Sequence, residues 1–380
     1  MFKPTISLLV FVAIVLIVPA VSFLAFLETI GSCRYLFQAQ RQQPQRAAEN
    51  PAHGFCVNSA DAHRCRPRWH ETRLAAQVES SAAEASGRER VAIEASDGVP
   101  RGPAGSLKLT YLELNSWLWQ ANGLNILVDP VFGVLDFGVP ALVQARKLVL
   151  WDSDRVIKDL AAVTDFVAIS QGFDDHCHPP TLRALASRLD PSVGIVAPPS
   201  ARAVIEEFFD ASRVTYLLPG QATVLSKGGR AVEVRATTGA VLGPPWQQAE
   251  NGYIVRPAAA GGGGSGDEAP EGGSLYFEPH LMFDEAELSQ LQADVVIAPG
   301  VQQNIGPYTL VAGGSKAFDL ASLLKSSKVV TMPNGDGDFT GPLGKAVTTG
   351  SELRDFLHLA RIKKIDVVDP VAAVPLSVWP

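Results

Sequence analysis

Eleven short runs rich in β-branched residues, each bounded by glycine, proline or aspartate, punctuate the chain at 107–113, 116–121, 124–128, 165–170, 193–197, 213–217, 231–235, 253–255, 274–277, 294–298 and 328–332. Alternation along the first two, with Asn122-Gly123 before the third, predicts a β-hairpin. Apolar residues at three-and-four spacing predict helices at 181–189 (behind Pro179-Pro180), 201–209, 284–291, 315–324 and 352–362. So many strands with so few short helices do not suit a doubly wound sheet. They predict an α+β, αββα four-layer sandwich over 107–380, two sheets face to face with helices outside.

Residues 6–27 (ISLLVFVAIVLIVPAVSFLAFL) carry no charge and are long enough to span a bilayer core of roughly 30 Å. Two readings of 1–30 stand: an uncleaved membrane anchor, or a secretory signal cut before Phe23 after the small residues Ala20 and Ser22. From 31 to 106 the chain reads as a disordered linker. Its early part is arginine-rich (Arg34, Arg41, Arg46, Arg64, Arg66, Arg68) and holds only Glu49 and Asp61 as acids as far as His70. An arginine-rich, acid-poor stretch behind such a start resembles in composition the bipartite leader of proteins imported into complex plastids. A plain juxtamembrane linker explains it equally. Cys56, His63, Cys65 and His70 match no compact zinc spacing.

Several function classes fall away. With 32 basic and 39 acidic residues the net charge is −7, so a nucleic-acid groove is not expected. Four cysteines are too few for a disulfide framework. Gly261, Gly263 and Gly266 have dinucleotide spacing, but no helix can follow at Asp267-Glu268-Ala269-Pro270, so 258–273 reads as a glycine-rich insertion. Neither a Gly-x-Ser-x-Gly elbow nor a His-Glu-x-x-His helix occurs.

The dense chemical feature is Ser170-Gln171-Gly172-Phe173-Asp174-Asp175-His176-Cys177-His178-Pro179-Pro180-Thr181-Leu182, between a strand and a helix. Two carboxylates and two imidazoles so close together are costly to bury without partners. The stretch resembles the metallo-β-lactamase superfamily signature Ser-His-x-His-x-Asp-His. Asn125–Phe132 (NILVDPVF) resembles that family's Asp-Pro strand end, and Ser274–His280 (SLYFEPH) its Tyr-Phe-x-Gly-Asp-Thr strand. Gln171-Gly172 with Asp175-His176 also resembles a plant and algal branch of degenerate members.

What the resemblance implies is mixed. Two of the three histidines for the family's first metal correspond to Gln171 and Phe173, and the third falls near Val241, so that metal is expected to be missing. Asp175 and His176 correspond to ligands of the second metal and are the expected catalytic pair. His280 stands where the family has a bridging aspartate; the last family histidine falls near Asn334, and Asp336, two residues on, or Asn334 itself is the fourth expected ligand. Asp175, His176, His280 and Asp336 would hold one divalent ion, Zn, Fe or Mn. The plain alternative is a capping Asp175 with histidines hydrogen-bonded in a half-buried pocket. Cys177 is expected to point away from its neighbours.

Three functions follow. One is a single-metal hydrolase of an ester, phosphodiester or amide with a small-molecule substrate. The second is a catalytically inactive binding protein of the same fold. The third is an assembly factor tethered to a membrane through its N-terminus. Trp117, Trp119 and Trp246 are either pocket lining or core.

Overall fold

A computed structural model describes residues 102–380 except 242–247, 260–270, 334–336 and 351–352, and leaves aside the side chains of 353–355. The apolar run, the leader with its cysteines and histidines, most of the glycine-rich insertion, Trp246, Asn334 and Asp336 lie outside the described residues.

The first half of the domain runs β1 (Leu107–Tyr111), β2 (Trp117–Ala121), β3 (Leu124–Val128), β4 (Gln144–Arg146), α1 (Ser153–Val163), β5 (Phe166–Ala168), α2 (Pro179–Ala186), β6 (Gly194–Ala197), α3 (Arg202–Ile205) and β7 (Val214–Tyr216). It continues with β8 (Ala222–Lys227), β9 (Arg230–Thr238), β10 (Asn251–Ala258), β11 (Leu275–Phe277), α4 (Glu285–Leu288), β12 (Val295–Pro299), β13 (Gln303–Ile305) and β14 (Tyr308–Val311). The last stretch is α5 (Ser315–Leu323), β15 (Lys328–Met332), β16 (Asp338–Thr340), α6 (Pro342–Ala346), β17 (Val347–Thr349), α7 (Leu353–Lys363), β18 (Asp366–Val368) and β19 (Pro375–Trp379).

Two seven-stranded sheets result, ordered β19-β1-β2-β3-β5-β6-β7 and β18-β15-β12-β11-β10-β9-β8. Side chains alternate across each strand, so each sheet presents two apolar faces. Leu109, Tyr111, Trp117, Trp119 and Ile126 of the first sheet meet Val232, Val234, Tyr253, Phe277 and Ile297 of the second. On the other face of the first sheet, Leu118, Leu127, Val167 and Ile195 pack on Val156, Ile157 and Leu160 of α1 and Leu182 and Leu185 of α2. On the far side of the second, Ile254, Tyr276 and Val296 pack on Phe318, Leu320 and Phe356 from α5 and α7. The order is therefore helix, sheet, sheet, helix, the expected αββα sandwich.

The hairpin turn is where the sequence puts it: Asn122 and Gly123 both have positive φ (48° and 76°), and Ala121 pairs with Leu124. Trp117 and Trp119 are core, not pocket lining. The expected helix at 201–209 is a 3₁₀ turn followed by the single turn of α3. Helix α1 was not among the expected elements, and neither were β8, β18 and β19. Among the described residues no helix is long and apolar enough to cross a membrane.

β3, β5, β6 and β7 run parallel, as do β11, β12, β15 and β18. The loops at their C-terminal ends are where open sheets of this kind place ligands. Trp119 has no exposure, and its ring lies edge-on to Phe277 with centroids 5.3 Å apart across the two sheets. Trp119→Ala is expected to cost about 3–5 kcal/mol, read as a lower urea midpoint.

Candidate functional site

β3 ends at Val128, and the next residue, Asp129, is fully buried with φ of 43°. Its Oδ1 accepts the Ser170 N–H (2.7 Å) and its Oδ2 the Ser170 hydroxyl (2.5 Å). Oδ2 also accepts His176 Nδ1–H at 2.8 Å. A buried carboxylate is tolerable only with donors of this kind. The result fixes the His176 ring, with Nε2 left facing Asp175 Oδ2 (3.5 Å) and the Asn115 amide nitrogen (3.1 Å). Asn115 Nδ2 also donates to the Asp175 carbonyl at 3.0 Å.

His280 follows β11 and is docked onto β14, its Nδ1 2.6 Å from the Leu310 carbonyl and its own carbonyl accepting Ala312 N–H at 2.9 Å. Its Nε2 lies 3.1 Å from Gln171 Oε1. Burial, and then the neighbouring His176, hold the His280 pKa down to about 4, so the ring is neutral near pH 7. A neutral ring has one N–H, which the close Leu310 carbonyl claims. Nε2 therefore offers a lone pair, and Gln171 best meets it with its NH₂ turned inward, a half-turn of the amide. That turn also gives a partner to Gln171 Nε2, which is otherwise buried without one.

The His176 and His280 rings stand 5.6 Å apart between centroids. Thus the sequence-predicted residues at 175, 176 and 280 are brought together, Asp175 and His280 each beside His176. Each imidazole has its Nδ1 tied to an oxygen and its Nε2 facing inward, the arrangement in which an oxygen acceptor orients a metal-ligating histidine. Two imidazoles on one tetrahedral ion have ring centres roughly 5 Å apart, close to what is seen. Among the described residues, however, no three His, Cys, Asp or Glu side chains form a closed metal-binding group. The amides of Asn115 and Gln171 touch the two Nε2 atoms instead. The donor types are those of a metal site, but they would close on an ion only if both amides gave way and His176 released its Nε2 proton. Asp336 lies outside the described residues.

The other motif residues have structural roles. His178 bridges Thr181 Oγ1 (2.8 Å) and the Val134 carbonyl (3.2 Å), and burial lowers its pKa to about 4. Cys177 is buried in the apolar cluster that includes Leu182 and Leu185 of α2. Asp175 does not cap α2, whose N-cap is His178 without a side-chain bond. Val241 is 44% exposed and provides no donor.

Sequence reasoning did not single out Asn115, Glu250 or Glu278, and it read Asp129 only as part of the Asp-Pro strand end. Glu250 and Glu278 are fully buried, each with one oxygen lacking a partner. Glu250 Oε2 accepts from Ser200 Oγ (2.6 Å) and Gly172 N (3.3 Å). Glu278 Oε2 accepts from Met282 N (2.7 Å) and His280 N (3.1 Å). Burial raises each to about 7 despite those bonds. For His176, burial works against the charge, but Asp175 and Asp129 more than reverse it, raising its pKa to about 9. The pocket is rich in carboxylate and calls for positive charge.

A family model described as the beta-lactamase superfamily domain matches residues 108–333, and the chain belongs to that superfamily. It is similar to Igni18, a novel metallo hydrolase from Ignicoccus hospitalis (15% identity, 72% of this chain and 98% of that one, TM-score 0.47). It is similar also to an isothiocyanate hydrolase from Delia radicum gut bacteria (17%, 72% and 100%, TM-score 0.48). A third similarity is to CmlA, a diiron β-hydroxylase from Streptomyces venezuelae (14%, 73% and 54%, TM-score 0.46). No curated protein matches the chain.

The Glu250 carboxyl gives a pH-dependent stability. Its folded pKa of about 7 exceeds the ordinary 4.5, so between those values the folded state holds the extra proton and stability falls as pH rises. Glu250→Gln keeps an acceptor for Ser200 and Gly172 without the charge. In chelator, its urea stability is expected to exceed wild type by about 1–3 kcal/mol at pH 8, with the gain vanishing by about pH 4.5.

Proposed function

We propose that this chain is a hydrolase that works with one divalent metal, held by His176 Nε2, His280 Nε2 and the Asp175 carboxylate. It would act on a small ester, phosphodiester or amide. The observation that carries the reading is the pair of imidazoles, each locked through Nδ1 and met at Nε2 by a displaceable amide, beside surplus buried carboxylate. Zn, Fe and Mn all suit such a nitrogen and oxygen set, and Asp336 is the further ligand the reading assigns.

When bound, such an ion would supply Lewis acidity, polarising a carbonyl or phosphoryl oxygen and acidifying water. The protein's part is orientation and proton handling. Asp129 keeps His176 Nδ1 protonated and its ring fixed, as the Leu310 carbonyl does for His280. Asn115 holds the Asp175 main chain beside His176. Asp174, next to Asp175 in the chain, is raised to about 6 by burial, Asp175 and Asp136, so its carboxyl can carry a proton in mildly acidic solution. Phe173 and Gln171 leave no basis for a second ion among the motif residues.

Membership in the plant and algal degenerate branch, and secretory entry through 6–27 to a membrane-anchored or complex-plastid location, belong to the same proposal. Elemental analysis of the purified full chain tests the site. About one equivalent of Zn, Fe or Mn is expected, lost in the Asp175→Ala, His280→Ala double variant, with esterase or phosphodiesterase turnover lost alongside. No metal in either protein after supplementation sinks the proposal and favours a binding protein that has lost turnover.

A further inference from the structure

Residues 147–151 (KLVLW) form a loop beside the turn 112–116. Leu148, Val149 and Trp151 are 43%, 38% and 75% exposed, while Leu150 between them is buried under the first sheet. Three large apolar side chains thus stand out from one anchored stretch.

The backbone of this loop is sealed from below. The Glu113 carboxylate, itself buried, accepts the N–H of Leu148 (2.7 Å), of Val149 (3.1 Å to each oxygen) and of Leu150 (2.7 Å). Lys147, also buried, donates to the Leu112 and Glu113 carbonyls and lies 4.1 Å over the Phe132 ring. Exposed loops ordinarily leave such amides to water. Here the three consecutive amides of 148–150 are bonded inside, so those donors stay satisfied when the tip leaves water, as hydrocarbon requires of a backbone. The loop is also already ordered, so docking costs little further freedom.

From this we infer that Leu148, Val149 and Trp151 dock into the interfacial layer of a lipid bilayer. Tryptophan beside aliphatic residues is the composition that layer favours. Three side chains are too small a patch for a stable protein partner, which needs ~800 Å² on each side. Arg146 and Asp152 flank the loop with opposite charge, and Asp154 is paired with Arg188, so the attraction is apolar and needs no anionic lipid. The uncharged run 6–27, outside the described residues, is long enough to span a bilayer. If it does, the loop's contact becomes intramolecular and a weak one suffices. This inference stands apart from the metal reading.

The test is tryptophan emission of the full chain with phosphatidylcholine vesicles, plain or carrying brominated acyl chains that quench indole on contact. Wild type is expected to be quenched by the brominated vesicles, and most of that quenching is expected to disappear in Trp151→Phe. Trp119→Phe, at a core position, should keep it. Leu148→Ser with Val149→Ser should reduce it without moving the urea midpoint. Quenching that is unchanged in Trp151→Phe, or absent while the chain is bound to vesicles, overturns the inference. So does a Trp151-dependent self-association in the absence of lipid, which would make the loop a protein contact.

Discussion

The buried carboxylate of Asp129 joins the parts of this structure that the site needs. It receives both donors of Ser170, at the end of β5, and the Nδ1–H of His176 six residues later. Its own N–H bonds the Ala168 carbonyl, so the ends of β3 and β5 are clamped at one point. Ser170 in turn accepts the N–H of Asn251, the first residue of β10 in the other sheet, at 3.1 Å. Two residues along β10, the Tyr253 hydroxyl donates to Ile169 at 2.7 Å. The network that orients His176 therefore also staples the two sheets beside the C-terminal ends of β3 and β5. Removing one member of such a set leaves the others buried and unmet, which is why buried pairs cost so much to break.

Charge in the pocket has to be treated as a set. Asp129, Asp175 and Glu250 all press on His176, and Glu278 in turn is pulled down by it. His280 is held neutral in part because His176 carries the positive charge. Protons here belong to the group of carboxylates and imidazoles, and their titration steps are shared. One cation cannot neutralise four carboxylates, and the acids respond by moving toward the protonated form at Glu250 and Glu278. A divalent ion between the two Nε2 atoms, as proposed, would relieve the same imbalance by another route.

Much of the architecture was legible because strand signals are local. β3 and β15 have the bounds their apolar runs predict, and Asn122-Gly123 specifies its turn by backbone preference alone. Helix α1 carries a readable pattern too, with Val156, Ile157, Leu160 and Ala161 buried on one face, yet its alternating charges dilute the apolar count. β8 is exposed or half-buried at all but Leu225, and β18 is three residues long, so neither has an apolar run to betray it. The site was legible only as far as a contiguous motif reaches. Asp175 and His176 lie inside it, and His280 was reached through a second motif. Asn115 meets His176 across 61 residues and Glu250 meets Gly172 across 78. No spacing rule links such positions; the fold alone brings them together.

The turn 112–116 shows how closely the site and the surface are tied. Glu113 and Leu114 both adopt positive φ (64° and 54°), a conformation that side chains with a Cβ resist. Two such residues in succession persist only when their surroundings over-determine them. Here the Glu113 side chain is fixed by four contacts to the amides of 148–150, and its carbonyl accepts Ser116 N–H at 3.1 Å. Ser116 Oγ is tied to the carbonyl of Asp129 at 2.8 Å. Asn115 sits between those two anchors and reaches Asp175 and His176. The carboxylate that seals the exposed loop and the amide that touches the imidazole are thus two residues apart on one strained turn. The position of Asn115 depends on Glu113 keeping its amides as much as on Asp129 keeping His176.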